Sequence, residues 1–129
     1  MTEPPSGYPP PVSAQLHNGL TLELRVLAQE ICARYRAEFP DEEERYGDAG
    51  MAWCVHDNQH ILNWAVIESN GLGGLEPKLG WLAGVLAARG FPLERLARDL
   101  EIAAAVVEDA DLSQTLVTGA RFVANLAKT

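Results

Sequence analysis

The apolar residues of this chain recur every three or four positions, and this spacing limits what the chain can fold into. From Ser13 to Phe39 the spacing predicts one long helix with a single apolar face. Gly19 weakens the first turns, so we expect the stable part to start with Asn18 as its N-cap. Pro40 ends this helix. The apolar face consists of Leu16, Leu20, Leu24, Leu27, Ile31, Tyr35 and Phe39.

The same spacing predicts four further helices, and no segment has the alternating pattern of a strand. Glycine and proline residues mark the breaks between these helices. The acidic run from Asp41 to Glu44 is typical of a helix start, and we prefer that interpretation to a cation site. Trp81 is expected to fill the core, with closure over a ligand as the alternative. The predicted helices cover about Asp48 to Ser69, Pro77 to Arg89, a segment opened by Pro92, and a segment beginning near Asp111.

The length and composition are those of one globular domain. The chain has 129 residues and is 47% hydrophobic, which is enough to bury a core. The first twelve residues are rich in proline, which removes amide donors and favours extended backbone. We therefore expect a disordered arm over residues 1–12 and a single all-α domain over residues 13–129.

Charge and cysteine usage exclude several classes of function. The formal net charge is −8 with 10 Lys and Arg residues, which disfavours a nucleic-acid-binding surface. The chain has neither an apolar run of about 18 residues nor a signal peptide pattern, so we expect a cytoplasmic protein that does not bind membranes. Cys32 and Cys54 could pair, but in such a compartment reduced thiols are the expectation.

The residues with chemical potential are concentrated between Tyr46 and Ile67, within the predicted central helix. At about 100° per residue, Cys54, Asp57 and Trp64 project into one sector. His56 and His60 form the neighbouring sector, with Trp53 beside them. A carboxylate among large apolar groups needs a partner, because a buried unpaired charge costs several kcal/mol or more. A ligand with N–H donors would satisfy it.

Part of this stretch resembles the chromophore helix of phycobiliproteins and of bilin-biosynthesis-associated globins. The matching pattern is Tyr46-Gly47, six residues, Cys54-x-x-Asp57, then Ile61-Leu62 and an aromatic residue at Trp64. In phycobiliproteins the matching cysteine forms a thioether to a linear tetrapyrrole, and the matching aspartate accepts hydrogen bonds from its pyrrole N–H groups. The resemblance implies these roles for Cys54 and Asp57. It also implies a shortened globin-like, phycobiliprotein-like fold of about five helices.

The resemblance covers about twenty residues, and the differences from the antenna proteins change the expected function. His56 precedes the aspartate, and Arg45 is the one base nearby, whereas the antenna proteins use Arg and Lys to pair the pigment propionates. The proline-rich residues 1–12 stand where antenna subunits have a helical extension for assembly. The resemblance therefore implies a carrier or sensor in bilin metabolism rather than light harvesting.

The expected ligand is a bilin such as biliverdin or phycocyanobilin. Asp57 would anchor it, and Cys54 would be either the covalent attachment point or an apolar wall. His56 and His60 would donate to propionate or lactam oxygens at the rim. The predicted bilin-binding residues are Tyr46, Trp53, Cys54, His56, Asp57, His60 and Trp64.

Other ligands and activities find less support in the sequence. Ordinary haem ligation requires a histidine on the helix after the central one, but the sequence has no histidine after His60. His56 and His60 have the spacing of a helical zinc site without a third ligand type, so we predict no metal. Cys54 and His56 point to different faces, so we expect no enzyme. A ligand-free globin-like interaction or regulatory module, dimeric through its apolar faces, is the alternative.

Overall fold

The computed structural model describes residues 9–128, and these form five helices and a small two-stranded hairpin. This confirms the predicted all-α class, while the globin-like arrangement stays a prediction. The elements are β1 Ser13–Gln15, β2 Thr21–Glu23, α1 Leu24–Glu38, α2 Asp41–Ser69, α3 Leu75–Ala88, α4 Leu93–Val106 and α5 Ala110–Ala127. No helix in the described range is long and apolar enough to cross a membrane.

The chain divides into two compact units, Met1–Asn63 and Trp64–Thr129. The division falls inside α2, and the single domain expected over residues 13–129 stays a prediction. Most of the predicted disordered arm lies outside the described residues. Its last residues are described, and the carbonyl oxygens of Pro11 and Val12 accept hydrogen bonds from Gln59 Nε2 at 3.1 Å and Leu24 N at 2.8 Å.

The prediction of a helix from Ser13 was wrong, because residues 13–23 form a β-hairpin. The strands pair antiparallel, with Ala14 opposite Leu22. Gly19 has φ of +90°, a left-handed conformation that turns the chain back, and the Asn18 side chain accepts a hydrogen bond from the Leu20 amide at 3.0 Å. Asn-Gly is a common hairpin turn, so Asn18 is a turn residue rather than a helix cap.

Helix α1 is the first stable helix and buries one apolar face. Its fully or almost fully buried residues follow the predicted spacing of three and four. They are Leu24, Ala28, Ile31, Cys32 and Tyr35. Phe39 follows the helix and Pro40 separates it from α2, as the sequence predicts.

Helix α2 begins seven residues before the predicted start and contains a kink. The acidic run forms its first turn, which confirms the helix-start interpretation of these residues. At Gly47 the backbone has φ of 61° and ψ of −153°, a conformation open essentially only to glycine. Arg36 of α1 holds this kink, because its guanidinium bonds to the Glu43 carboxylate at 2.9 Å and donates to the Gly47 carbonyl at 3.1 Å.

In the second unit, α3, α4 and α5 pack around a leucine-rich core. The Asp109 side chain caps α5, because it accepts a hydrogen bond from the Leu112 amide at 3.0 Å. The Ser113 hydroxyl of α5 donates a hydrogen bond to the Ala104 carbonyl of α4 at 2.7 Å. Gly119 lets α5 approach Leu79 of α3 closely. The buried residues of this unit include Leu75, Leu79, Leu82, Leu100, Leu112, Leu116 and Val123.

Trp81 is 49% exposed, so the prediction that it fills the core was wrong. The buried face of α3 follows Leu75, Leu79 and Leu82. Trp81 is two residues after Leu79, about 200° around the helix, which places it on the opposite side.

Candidate functional site

Two neighbouring groups of side chains in the first unit combine reactive or ionisable atoms with burial. The sulfur cluster consists of Cys32 from α1 together with Cys54 and Asn58 from α2. The imidazole–carboxylate cluster consists of His56, Asp57 and His60, all from α2. The α2 residues of both clusters follow the kink at Gly47, on the regular part of this helix.

Cys32 and Cys54 form a disulfide, so the prediction of reduced thiols was wrong. Their Cα atoms lie 6.1 Å apart, and the bond closes a loop across 22 positions of sequence. Cys32 is completely buried, as expected for a small apolar residue beside the α1 stripe. In this form Cys54 has no thiol to add to a pigment, so a thioether at this position would require prior reduction.

Asn58 is the part of the sulfur cluster that sequence reasoning missed. It is 2% exposed, and its side-chain Nδ2 donates to the Cys54 carbonyl at 2.9 Å. The same nitrogen lies 3.5 Å from the sulfur atoms of both Cys32 and Cys54. The available signal was its position four residues after Cys54, since side chains at that spacing share a helix face.

The imidazole–carboxylate cluster forms around the His56 side chain, which contacts both Asp57 and His60. His56 Nδ1 and Asp57 Oδ1 are 3.1 Å apart, and the two side chains are 8% and 14% exposed. The ring centroids of His56 and His60 are 4.7 Å apart, with an edge-on orientation. The carboxylate therefore has an imidazole partner within its own helix, which the sector argument from the sequence did not anticipate.

The aromatic residues predicted for the site are divided between different places. Trp53 is buried in the first unit, on the same regular part of α2 as both clusters. Tyr46 is exposed and precedes the kink, where Gly50 allows close packing against its Cβ atom. Trp64 is half-buried and is the first residue of the second unit.

Arg45, the base expected near the pigment propionates, lies before the kink. Its Nε is 3.5 Å from Asp41 Oδ2, and both side chains are about half exposed. Such a surface pair between neighbouring turns contributes little to stability. Arg45 is therefore placed with the acidic first turn of α2.

The imidazole–carboxylate cluster has the chemistry to bind a ligand rich in N–H groups and acidic oxygens. A carboxylate accepts several hydrogen bonds, and each imidazole nitrogen donates or accepts according to its protonation. Among residues 9–128, no three His, Cys, Asp or Glu side chains converge in an arrangement that could hold a metal ion.

The chain matches no protein-family model, no curated protein and no solved structure. The resemblance to phycobiliprotein-related globins therefore depends on the residues of α2 alone.

Proposed function

We propose that this protein binds an open-chain tetrapyrrole without a covalent bond, as a carrier or sensor in bilin metabolism. The imidazole–carboxylate cluster is the proposed binding site, with Asp57 as the anchor. The observation that carries the proposal is the gathering of one carboxylate and two imidazoles on consecutive turns of α2, with Asp57 and His56 almost enclosed.

An open-chain tetrapyrrole suits these side chains chemically. Its inner rings present N–H donors to a carboxylate, and its two propionates accept hydrogen bonds from protonated imidazoles. A hydrogen bond to a charged group contributes about 1.5 to 3 kcal/mol, and more where water is excluded. Because a carboxylate accepts several hydrogen bonds at once, His56 and the pigment can share Asp57.

The disulfide supports a noncovalent mode of binding. With Cys54 bonded to Cys32, the pigment is held by hydrogen bonds and apolar contacts alone. Trp53 is close to the clusters in sequence and is buried. It is the proposed apolar contact for the pigment on the same stretch of helix. The bound colour is therefore expected to disappear when the protein unfolds.

A second function is favoured by one specific observation. The contact between His56 and Asp57 gives the carboxylate a partner without any ligand. This supports a ligand-free interaction or regulatory module, in which the cluster is part of the structure. In that case the protein would bind no pigment, and a homodimer would be the first assembly to look for by analytical ultracentrifugation.

An absorption titration with biliverdin tests the proposed function. We expect a saturable shift of the visible bands for the wild-type protein, and at least tenfold weaker binding for Asp57→Asn, which keeps the shape and removes the charge. Asp48→Asn is the matched control, because Asp48 is an exposed carboxylate on the same helix. Equal affinity of the wild-type protein and Asp57→Asn, or no shift at saturating pigment, would contradict the proposal.

A further inference from the structure

We propose that the Cys32–Cys54 disulfide is a reversible exchange site that a low-molecular-weight thiol enters at Cys54. The proposal goes beyond pigment binding and depends on different residues. If it is correct, the covalent tie between α1 and α2 responds to the balance of thiol and disulfide around the protein.

The two cysteines differ in burial, and this difference sets the expected direction of attack. Cys32 is completely buried on α1, whereas Cys54 is only partly buried on α2. An attacking thiolate must approach one sulfur from the side opposite the other. Complete burial closes that approach at Cys32, so we expect the attack at the less buried Cys54.

Asn58 is placed to assist the departure of the Cys32 sulfur. Its Nδ2 is held by the Cys54 carbonyl at 2.9 Å and lies 3.5 Å from each sulfur. When the disulfide breaks, negative charge develops on the buried Cys32 sulfur. An N–H donor already directed at that sulfur stabilises the charge, since hydrogen bonds to ionised groups are the stronger ones.

The exchange is balanced in atoms and electrons. A thiolate RS⁻ attacks Cys54 Sγ and forms the mixed disulfide Cys54–S–S–R, while the electron pair of the old bond moves to Cys32 Sγ, which leaves as a thiolate and takes up a proton. A second RS⁻ then attacks the R-bearing sulfur, releasing RSSR and the Cys54 thiolate. The reverse reaction with RSSR as the oxidant restores the disulfide.

The noncovalent contacts between α1 and α2 indicate what would remain after reduction. Tyr35 of α1 bonds to Glu42. Arg36 of α1 bonds to Glu43 and Gly47. These three partners all lie at or before the kink. The disulfide and Asn58 tie α1 to the part of α2 after the kink. Reduction would therefore leave the contacts before the kink in place and release the covalent tie after it.

The experiment uses the oxidised full-length protein in buffers of reduced glutathione and glutathione disulfide. Samples are quenched with acid, and peptide mass spectrometry locates the glutathione. We expect the mixed disulfide on Cys54 in at least tenfold excess over Cys32. Glutathione on Cys32 in equal or greater amount, or a disulfide that glutathione cleaves only after the protein is unfolded, would overturn the proposal.

Two sets of variants separate the effect of cysteine burial from the effect of the Asn58 hydrogen bond on the leaving sulfur. Cys32→Ser is expected to take up glutathione at Cys54 at least tenfold faster than Cys54→Ser takes it up at Cys32. Asn58→Ala is expected to slow cleavage of the disulfide about tenfold without moving the glutathione from Cys54. Circular dichroism checks that each variant is folded, and the mapping on the wild-type protein decides the proposal if a variant does not fold.

Discussion

The phenol hydroxyl of Tyr35 donates a hydrogen bond of 3.1 Å to the Glu42 carboxylate inside the first unit, where both residues are buried. The bond links the end of α1 to the first turn of α2. A carboxylate taken out of water is stable as an anion only where donors replace its hydration. The contact therefore joins the two helices across the turn at Pro40.

Removing this hydroxyl should destabilise the protein clearly. Tyr35→Phe keeps the ring but leaves the Glu42 carboxylate without that donor, so we expect a loss of about 1.5 to 3 kcal/mol in the free energy of unfolding. Urea denaturation measures it. Arg34→Ala is the control, because its pair with Glu30 is half exposed and should change stability by less than about 1 kcal/mol. Similar losses for both variants would show that the buried bond has no special importance.

The kink in α2 should depend on Gly47. Its backbone conformation is strained for any residue with a Cβ atom, so Gly47→Ala should lower the free energy of unfolding by about 1 to 3 kcal/mol. Asp48→Ala, at the next and exposed position, should change it by less than about 0.5 kcal/mol. Thermal denaturation followed by circular dichroism compares the two. A neutral Gly47→Ala variant would mean that the helix runs straight through this position.

Two helical glycines of the second unit should respond in opposite ways to alanine. A Cβ atom at Gly84 meets nothing within 4 Å, so Gly84→Ala should stabilise the protein by about 0.5 to 1 kcal/mol. At Gly119 a Cβ atom would lie 3.0 Å from Leu79 Cδ1, so the clash should cancel or reverse that gain. Denaturation midpoints of both variants decide the point. An equal gain at both positions would contradict the close packing of α3 and α5.

Reduction of the disulfide should lower stability without changing the fold class. Opening a loop of 22 residues by cleavage of this bond should cost about 3 kcal/mol of unfolding free energy by the chain-entropy relation. Urea denaturation with and without a strong dithiol reductant measures the difference. The double variant with Cys32→Ala and Cys54→Ala should be insensitive to the reductant. If it responded as the wild-type protein does, the effect of the reductant would not come from this bond.

Much of the helical part of the fold could be predicted because local signals are strong there. Helix α2 ends at Ser69, before Asn70-Gly71, and α4 begins directly after Pro92. Both boundaries agree with those predicted from the sequence. The hairpin was missed because its apolar residues also fit a helical spacing, although Asn18-Gly19 favoured a turn. The kink at Gly47 is contacted by Arg36 of α1, and such a contact between helices leaves no periodic signal in the sequence.

The candidate site was predictable in part for the same reason. Spacing along one helix placed His56 and His60 in one sector, and their rings are in contact, because neighbours on a helix are fixed by its geometry. The contact between His56 and Asp57 was not anticipated, since the same spacing assigned Asp57 to the next sector. Whether Cys54 pairs with Cys32 was not predictable, since Cys32 lies on another helix and the distance between the two depends on how α1 and α2 pack. Trp81 was misplaced because a large apolar residue was assigned to the core without regard to its angle from Leu79.

The most direct test of pigment binding at the imidazole–carboxylate cluster is an NMR spectrum of the histidine side chains, recorded during a titration with biliverdin. The protein has three histidines, and His17 lies in the exposed hairpin turn. We predict that the ring signals of His56 and His60 shift in a saturable way while those of His17 stay in place. Unchanged signals from His56 and His60 at saturating biliverdin would contradict the proposed site.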